Sequence, residues 1–266
     1  MTGTSLLWLI LICLATSAIS VVTGSTSLIT VPAMLQFHLD PRTALATNMF
    51  ALTFMSIGGV LPFVRGAQID RKRLPTLLVL TLAGSTMGAY LMLRIPDRSV
   101  PVIVSSAMIG VALFSALYRK AGIEHVNTSP SARSELAGYA LTFLLGIYGG
   151  FFSGGYVTIL TAVFVAFFRY SFIEAIAITK LMNVSSSAIA TAIFMSRGAV
   201  DFRLGIILGA TMFFGAVLGA RFAIRLSNVW LRRIFLTAVW VLGLKALFYD
   251  VAAKNLGWGI PSHAEP

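Results

Sequence analysis

The feature that most constrains this chain is a series of apolar stretches, each about as long as a bilayer is thick. A hydrocarbon core of roughly 30 Å requires about 20 apolar residues per helical span. Measured against that length, the sequence predicts about eight transmembrane helices, at 5–23, 41–64, 74–93, 100–117, 136–154, 173–196, 203–224 and 229–249. The predicted fold class is therefore an all-α polytopic membrane protein.

Composition supports this class and excludes others. Of the 266 residues, 58% are hydrophobic and 11% are charged, whereas soluble domains carry about 25% charged residues. The 20 Lys and Arg residues outnumber the 9 Asp and Glu residues, but they form short clusters between apolar stretches. This pattern is typical of lipid-headgroup contacts rather than of nucleic-acid binding. The single cysteine, Cys13, excludes an intramolecular disulfide and a cysteine-based metal site, and no cofactor is expected.

Two further apolar pieces, 24–37 and 155–168, are too short for ordinary spans and follow glycine- or serine-rich turns. Such pieces are typical of broken or re-entrant helices. The longest polar stretch predicts a linker between two transmembrane repeats. The chain then divides into a first repeat, a linker, a second repeat and a C-terminal tail, at 1–117, 118–135, 136–249 and 250–266.

The two halves resemble each other at a nearly constant offset. Thr47 and Thr179 lie 132 positions apart, and Asp70 and Asp201 lie 131 apart. Further matches pair Arg65-Gly66-Ala67 with Arg197-Gly198-Ala199, Gly84 with Gly215, and Gly88-Ala89 with Gly219-Ala220. Internal duplication is typical of secondary transporters, whose substrate site lies between the repeats near the bilayer midplane. Four crossings per half would make the halves parallel, whereas five would make them inverted, and the sequence leaves both open.

Lys180 is the strongest local signal, because it lies about seven residues inside the sixth predicted span. A charge at that depth is energetically expensive and indicates function by default. The alternative is that its long side chain reaches the nearer interface. Asn183 follows three residues later, on the same helical face. Ser187 and Thr191 continue this polar stripe seven and eleven residues after Lys180. Lys180 and Asn183 are predicted to contact substrate, whereas Ser187 and Thr191 are interpreted as packing groups.

The second half also contains a glycine-rich run at 149–156, and the first half has a hydroxyl-rich counterpart at 24–27. Glycines permit a sharp turn, and the helix that follows presents unpaired N–H groups to an anion. Close helix packing through small residues is the alternative interpretation. Ser153, within the run, also superficially resembles the nucleophile of a serine–lysine dyad with Lys180. Intramembrane hydrolysis and a passive anion channel therefore stand as alternatives to transport.

The first half contains the strings Ser-Leu-Ile-Thr-Val-Pro-Ala at 27–33 and Ala-Leu-Ala-Thr-Asn at 44–48. In order and spacing they resemble the first repeat of the sulfite exporter TauE/SafE family of membrane transporters. The second repeat is similar at 149–156, 177–183, 198–201 and 215–221. This resemblance implies a bacterial inner-membrane permease, not an enzyme, that moves small anions, often sulfite or organosulfonates. It also implies a Thr-Asn or Thr-Lys pair near the substrate path in each half.

Two positions depart from the family pattern. Family members commonly have a run of glycines where this chain has 24–27, and some have a lysine where it has Met49. The first half is therefore expected to contact substrate through hydroxyls, with Lys180 as the intramembrane cation. Transport by alternating access would be driven by the anion gradient or coupled to protons or another ion. The predicted substrate-binding residues are Lys180, Asn183, Thr179, Ser153, Gly154, Gly155, Tyr156, Ser25, Thr26, Thr47 and Asn48.

Overall fold

The structure is a computed structural model. It describes residues 3–24, 26–64, 70–100 and 130–223, together with the isolated positions 102, 103, 106, 110, 225, 226, 230 and 233. In this part of the chain the regular elements are helical, with one short 3₁₀ turn at Asp97–Ser99. The α-helices are α1 Gly3–Thr23, α2 Ser27–Gln36, α3 Pro41–Val64, α4 Leu74–Arg94, α5 Ala132–Phe151, α6 Tyr156–Phe168, α7 Phe172–Ser196 and α8 Phe202–Ala223.

The predicted all-α, polytopic membrane class is confirmed. Five of the described helices, α1, α3, α4, α7 and α8, are long and apolar enough to cross a membrane. The shorter apolar helices α2 and α6 occupy the two pieces that were predicted to be too short for ordinary spans. The predicted spans 100–117 and 229–249, most of the linker, the tail and the Arg65-Gly66-Ala67 motif lie almost entirely outside the described residues.

Two aspartates begin corresponding helices and mark opposite ends of the molecule. Asp70 Oδ1 accepts hydrogen bonds from the backbone N–H groups of Lys72 and Arg73, at 3.0 and 3.3 Å, before α4. Asp201 Oδ1 accepts one from the backbone N–H of Leu204, at 3.0 Å, in the first turn of α8. Side-chain oxygens at this position satisfy N–H groups that have no partner within the helix. We call these the Asp70 end and the Asp201 end.

An ion cluster connects the helices that begin at the Asp70 end. The Arg73 guanidinium contacts Asp70 Oδ2 and Glu135 Oε1, both at 2.6 Å, which joins α4 to the start of α5. The Tyr170 hydroxyl, just before α7, donates to Asp70 Oδ2 at 3.1 Å. Partial burial acts to raise the pKa of Asp70, but the hydrogen bonds from Arg73 and Tyr170 hold that pKa below its ordinary value. Helices α4, α5 and α7 therefore all begin at this end.

The first and third helices of each half pack against the fourth helix of the other half. Helices α1 and α3 pack along α8, and helices α5 and α7 pack along α4. Helix α3 runs antiparallel to α7, since Thr53 meets Thr191 at 3.3 Å while Ser56, further along α3, meets Asn183, which comes earlier on α7. Corresponding helices of the two halves thus run in opposite directions.

Helices α1 and α2 form one helical hairpin, and helices α5 and α6 form another. Helix α2 returns to the Asp201 end, where α3 begins and Thr47 accepts a hydrogen bond from the backbone N–H of Asp201. Helix α6 returns to the Asp70 end, where Ser134 at the start of α5 donates to the carbonyl of Phe167 at 2.8 Å. Each hairpin therefore enters and leaves at one end, and the two hairpins approach each other from opposite ends.

Candidate functional site

The tips of the two hairpins touch through their backbones. Gly24 follows α1 with φ = 71°, a left-handed conformation that glycine adopts without strain. A Cβ at Gly24 would lie 2.7 Å from the Cβ of Val157 and 2.8 Å from the backbone nitrogen of Thr158. The Thr158 hydroxyl in turn donates to the carbonyl of Thr23 at 2.5 Å. The close contact between the tips therefore requires a residue without a side chain at position 24.

A small cavity of about 10 Å³ lies beside this contact, with room for roughly one water molecule. Both hairpins and both third helices contribute to its wall. The lining residues are Gly24, Thr26 and Ser27 of the first hairpin, Ser153 and Val157 of the second, Leu52 and Met55 of α3, and Lys180 and Asn183 of α7. The cavity is therefore lined by parts of the two halves that are far apart in sequence.

Lys180 is buried inside the protein and does not reach its surface. The side chain is 1% exposed, and its Nζ donates to the carbonyl of Ser20 at 3.3 Å, near the end of α1. Its aliphatic stem passes Gly59, where an added Cβ would lie 3.7 Å from Lys180 Cδ. Among the described residues no carboxylate forms an ion pair with it. The alternative in which the side chain reaches the membrane interface does not describe this lysine, whose Nζ has a neutral carbonyl as its hydrogen-bond partner.

Asn183 connects three parts of the site. Its Nδ2 donates to the Ser56 hydroxyl of α3 at 2.5 Å, and its Oδ1 accepts from the Ser153 hydroxyl at 3.4 Å. Ser153 has φ = 62°, a left-handed conformation that costs a residue with a side chain on the order of 1 kcal/mol. The tip of the second hairpin is therefore held to α7 by a side chain in an uncommon backbone geometry.

Asn48 forms hydrogen bonds with buried hydroxyls of the first half but does not line the cavity. Its Nδ2 donates to the Ser27 hydroxyl at 2.9 Å, and its Oδ1 accepts from the Thr30 hydroxyl at 2.7 Å. Thr26, which does line the cavity, donates to the Met55 sulfur at 3.3 Å. All these groups are buried. The hydroxyls of α2 are therefore already hydrogen-bonded within the protein.

The two predicted threonines of the third helices lie outside the cavity wall. Thr47 accepts its hydrogen bond from Asp201 at 3.0 Å, at the Asp201 end. Thr179 donates to the carbonyl of Ile176 at 3.0 Å, and its hydroxyl lies 3.2 Å from that of Thr161 on α6. Both side chains thus hold neighbouring segments together, and direct contact with substrate stays a prediction for each.

The remaining predicted residues belong to the tip of the second hairpin or fall outside the described part. Gly155 has φ = 76° and precedes α6, and the carbonyl of Gly154 accepts a hydrogen bond from the Tyr148 hydroxyl. Tyr156 is fully buried in an apolar cluster and does not itself line the cavity, although its neighbour Val157 does. Ser25 lies outside the described residues. The structure thus brings Lys180, Asn183, Ser153 and Thr26 together at one cavity.

Sequence reasoning missed several members of this site. Ser56 binds Asn183, the carbonyl of Ser20 accepts from Lys180, and Ser27, Leu52, Met55 and Val157 line the cavity. A hydroxyl in an apolar span ordinarily bonds to its own backbone, so nothing in the sequence singled out Ser56. A backbone carbonyl carries no sequence signal at all.

Comparison with known proteins identifies the family of the chain. Residues 9–246 match the family described as sulfite exporter TauE/SafE. Similar proteins include the probable membrane transporter protein ORF9 of Sinorhizobium, 29% identical over 206 residues, which are 76% of this chain and 77% of that protein. The probable membrane transporter protein YfcA of Escherichia coli is 25% identical over 243 residues, 89% of this chain and 87% of that protein.

A third relative, the probable membrane transporter protein of Haemophilus influenzae, is 26% identical over 77% of this chain and 80% of its own length. No solved structure matches the chain. The family match extends from α1 to beyond α8 and so covers both hairpins and the cavity between them. The chain belongs to the sulfite exporter TauE/SafE family of membrane transporters.

Proposed function

We propose that this protein is a secondary transporter of the bacterial inner membrane for a small anion: sulfite, an organosulfonate, or a related sulfur-containing or carboxylate anion. The observation that carries the proposal is the buried Lys180, which lies where the two hairpin tips meet and has no carboxylate partner among the described residues. A charge inside a membrane protein is tolerated when it serves a pathway or a ligand. An anion supplies the missing countercharge.

The cavity wall carries hydrogen-bond donors suited to an oxyanion. A protonated lysine has three N–H donors, and Lys180 directs one of them to Ser20. The hydroxyls of Thr26 and Ser27 and the amide of Asn183 line the same wall. An oxyanion that enters this site exchanges its hydration shell for one cationic and several neutral donors, which favours small anions with several oxygen atoms over neutral solutes.

The size of the cavity supports alternating access rather than an open pore. About 10 Å³ accommodates a water molecule but not sulfite, so the hairpin tips must separate when the anion binds. We treat the halves as inverted duplicates, because the corresponding helices α3 and α7 run antiparallel and the two hairpins enter from opposite ends. Inverted repeats that rock about a central site expose it to each side of the membrane in turn.

The test is counterflow in proteoliposomes that contain the purified protein. Labelled sulfite and isethionate serve as probes, with sulfate, taurine, sulfoacetate and acetate as unlabelled competitors. The Lys180→Gln variant is expected to lose at least about 100-fold in exchange rate, because it removes the charge that would pair with the anion. The exposed Lys72 at the Asp70 end provides the matched control, since Lys72→Gln should exchange at the wild-type rate.

Three outcomes would overturn the proposal. Full exchange by a folded Lys180→Gln variant would leave the buried lysine without a role in transport. A wild-type protein that exchanges none of the six anions would remove the substrate class. Ohmic single-channel currents in planar bilayers would indicate a channel instead.

The variant Ser153→Ala separates transport from hydrolysis. The Ser153 hydroxyl donates to Asn183 at a long 3.4 Å, so its loss should leave at least about a tenth of the exchange rate, in line with the modest net strength of a neutral hydrogen bond. A hydrolase that used Ser153 as its nucleophile would lose all turnover in this variant.

A further inference from the structure

The acidic residues of this chain all lie outside its predicted spans except Glu174, which is the second residue of 173–196. In the described part each is at or next to a helix end, and the closest along α7, Glu174, lies six residues before Lys180 and accepts a hydrogen bond from the backbone N–H of Ser171 at 2.8 Å. The nine acidic residues are Asp40, Asp70, Asp97, Glu124, Glu135, Glu174, Asp201, Asp250 and Glu265. No segment predicted to cross the bilayer therefore carries an internal countercharge for Lys180.

The other titratable groups around Lys180 provide no negative charge either. Helix α2 carries no titratable side chain. Besides Lys180, the titratable side chains of the other described helices are Cys13 on α1, Arg42 on α3, Tyr90 and Arg94 on α4, Arg133, Glu135, Tyr139 and Tyr148 on α5, Tyr156 on α6, Glu174 on α7, and Arg203 and Arg221 on α8. Apart from the arginines and the two glutamates near helix starts, these groups are one thiol and four phenols, side-chain types whose ordinary pKa values lie above about 7. The site consists of one basic nitrogen among neutral groups.

Such a site is suited to an amine when it is empty and to an ammonium when an anion is present. An isolated charge in a low-dielectric interior is strongly disfavoured and loses or gains a proton instead. With the anion beside it, the same ammonium belongs to a neutral ion pair. The cavity around Lys180 holds roughly one water, which is too little to solvate a free ammonium while the tips are closed.

We propose that Lys180 takes up one proton from water with each anion it binds and returns that proton to water when the anion leaves. The protein then carries the anion and a proton together, in the same direction. The lone pair of the neutral amine accepts the proton on loading, and the N–H bond so formed breaks on unloading at the opposite side. Both forms that reorient, the empty amine and the ammonium paired with a monovalent anion such as isethionate or hydrogen sulfite, are electrically neutral. This inference rests on the proposed function.

The variant Lys180→Arg tests the proton step apart from anion binding. A guanidinium stays protonated in proteins, so this variant keeps a charge for the anion but has no neutral empty form. Counterflow requires only the loaded form to reorient and should remain within about tenfold of the wild-type rate. Net uptake driven by a pH gradient requires the empty form to return and should fall at least about 100-fold, because of the cost of an unpaired buried charge. Lys72→Arg is the matched control and should preserve both activities.

If the larger arginine prevents folding, a measurement on the wild-type protein decides whether a proton moves with the anion. Isethionate uptake is followed in vesicles that contain a pH dye, at a membrane potential set by valinomycin and a potassium gradient; sulfite replaces isethionate if only sulfite is exchanged. We expect one proton to enter per isethionate, and accumulation that is unchanged by a tenfold potassium gradient. A carrier that moved the monovalent anion alone would change its accumulation about tenfold under that gradient.

The outcomes separate this inference from the proposed function. If Lys180→Gln abolishes exchange but wild-type uptake follows the potential, depends on sodium, or proceeds without proton entry, the anion site stands and the proton coupling is overturned. Net uptake by Lys180→Arg at the wild-type rate would also overturn the proton coupling and leave the anion site standing. Exchange that survives in Lys180→Gln, or that is absent in the wild type for every anion tested, overturns both.

Discussion

Positions 48 and 180 are related by the offset of 132 between the two halves, yet they have opposite chemistry. Asn48 is neutral, and both ends of its amide are hydrogen-bonded, to Ser27 and to Thr30. Lys180 is basic and has a single carbonyl partner. Buried polar networks stabilise a protein when every member is satisfied and are costly when one is not. The first half therefore uses this position to hold its hairpin in place, whereas the second half leaves donors available to a ligand.

The largest expected effect is a loss of transport from the second-half position together with a gain in stability. Lys180→Met replaces an unpaired buried amine with an apolar side chain of similar length. Exchange should fall at least about 100-fold, while the free energy of unfolding should rise by about 1 kcal/mol or more. Counterflow and the thermal unfolding midpoint in detergent measure the two. A variant that is both inactive and less stable would contradict the contrast between positions 48 and 180.

The first-half position should respond in the opposite way. Asn48→Leu removes the partner of the buried Ser27 hydroxyl and leaves the Thr30 hydroxyl with only the carbonyl of Thr26, which should lower the free energy of unfolding by about 2 kcal/mol. Exchange per folded molecule should stay within about threefold of the wild type, since Asn48 does not line the cavity. A stable but inactive Asn48→Leu protein would mean that this amide contacts substrate after all.

The contact between the two tips can be tested at a glycine of each half. Gly24→Ala forces a left-handed alanine and places its Cβ against Val157 and Thr158, so it should lower stability by about 2 kcal/mol. Gly198→Ala is the matched control, because Gly198 has φ = 65° but nothing within 4 Å of an added Cβ. That variant should lose about 1 kcal/mol. Equal unfolding midpoints for the two variants would show that the tips have room to separate without cost.

The smallest expected effect concerns the Asp70 end. Asp70→Asn keeps a helix-capping side chain but loses the ion pair with Arg73, which should cost about 1 kcal/mol or less at neutral pH. Because the folded pKa of Asp70 is below its ordinary value, its contribution is present above about pH 4 and disappears as the pH falls through the folded pKa. Unfolding midpoints of variant and wild type should therefore converge in acid. A constant difference across that range would assign the effect to packing.

Much of this architecture could be predicted from the sequence, because the length and apolar composition of a span, and the small residues that interrupt it, can be read from the sequence. The stretch 41–64 was predicted with the bounds of α3, and the short pieces appear as α2 and α6. Interrupted helices of two repeats are expected to meet at one site. That expectation agrees with the cavity, which is lined by Lys180, Asn183, Ser153 and Thr26. Direction was not predictable, since the orientation of α3 against α7 depends on contacts between residues more than a hundred positions apart.

Side-chain detail was less predictable for a different reason. Thr47 shares its pattern with Thr179, but a hydroxyl in a span binds whichever acceptor or donor is nearest, and for Thr47 that is the backbone of Asp201. Tyr156 follows the glycine turn in sequence, yet packs into an apolar cluster. Both cases depend on the rotation of a helix about its own axis, which a run of uniformly apolar neighbours does not specify.

The packing of α1 and α3 on α8 has a consequence for biogenesis. Helix α1 is made before the helix it packs against, Phe202–Ala223, which emerges about 200 residues later. Membrane insertion of the first hairpin therefore precedes its assembly, and its contact face meets lipid or insertion machinery while most of the chain is still being translated. The α4–α5 contact, by contrast, can form before synthesis ends. Assembly of these helices is thus a late event, in which α8 packs against α1 and α3 long after both have been made.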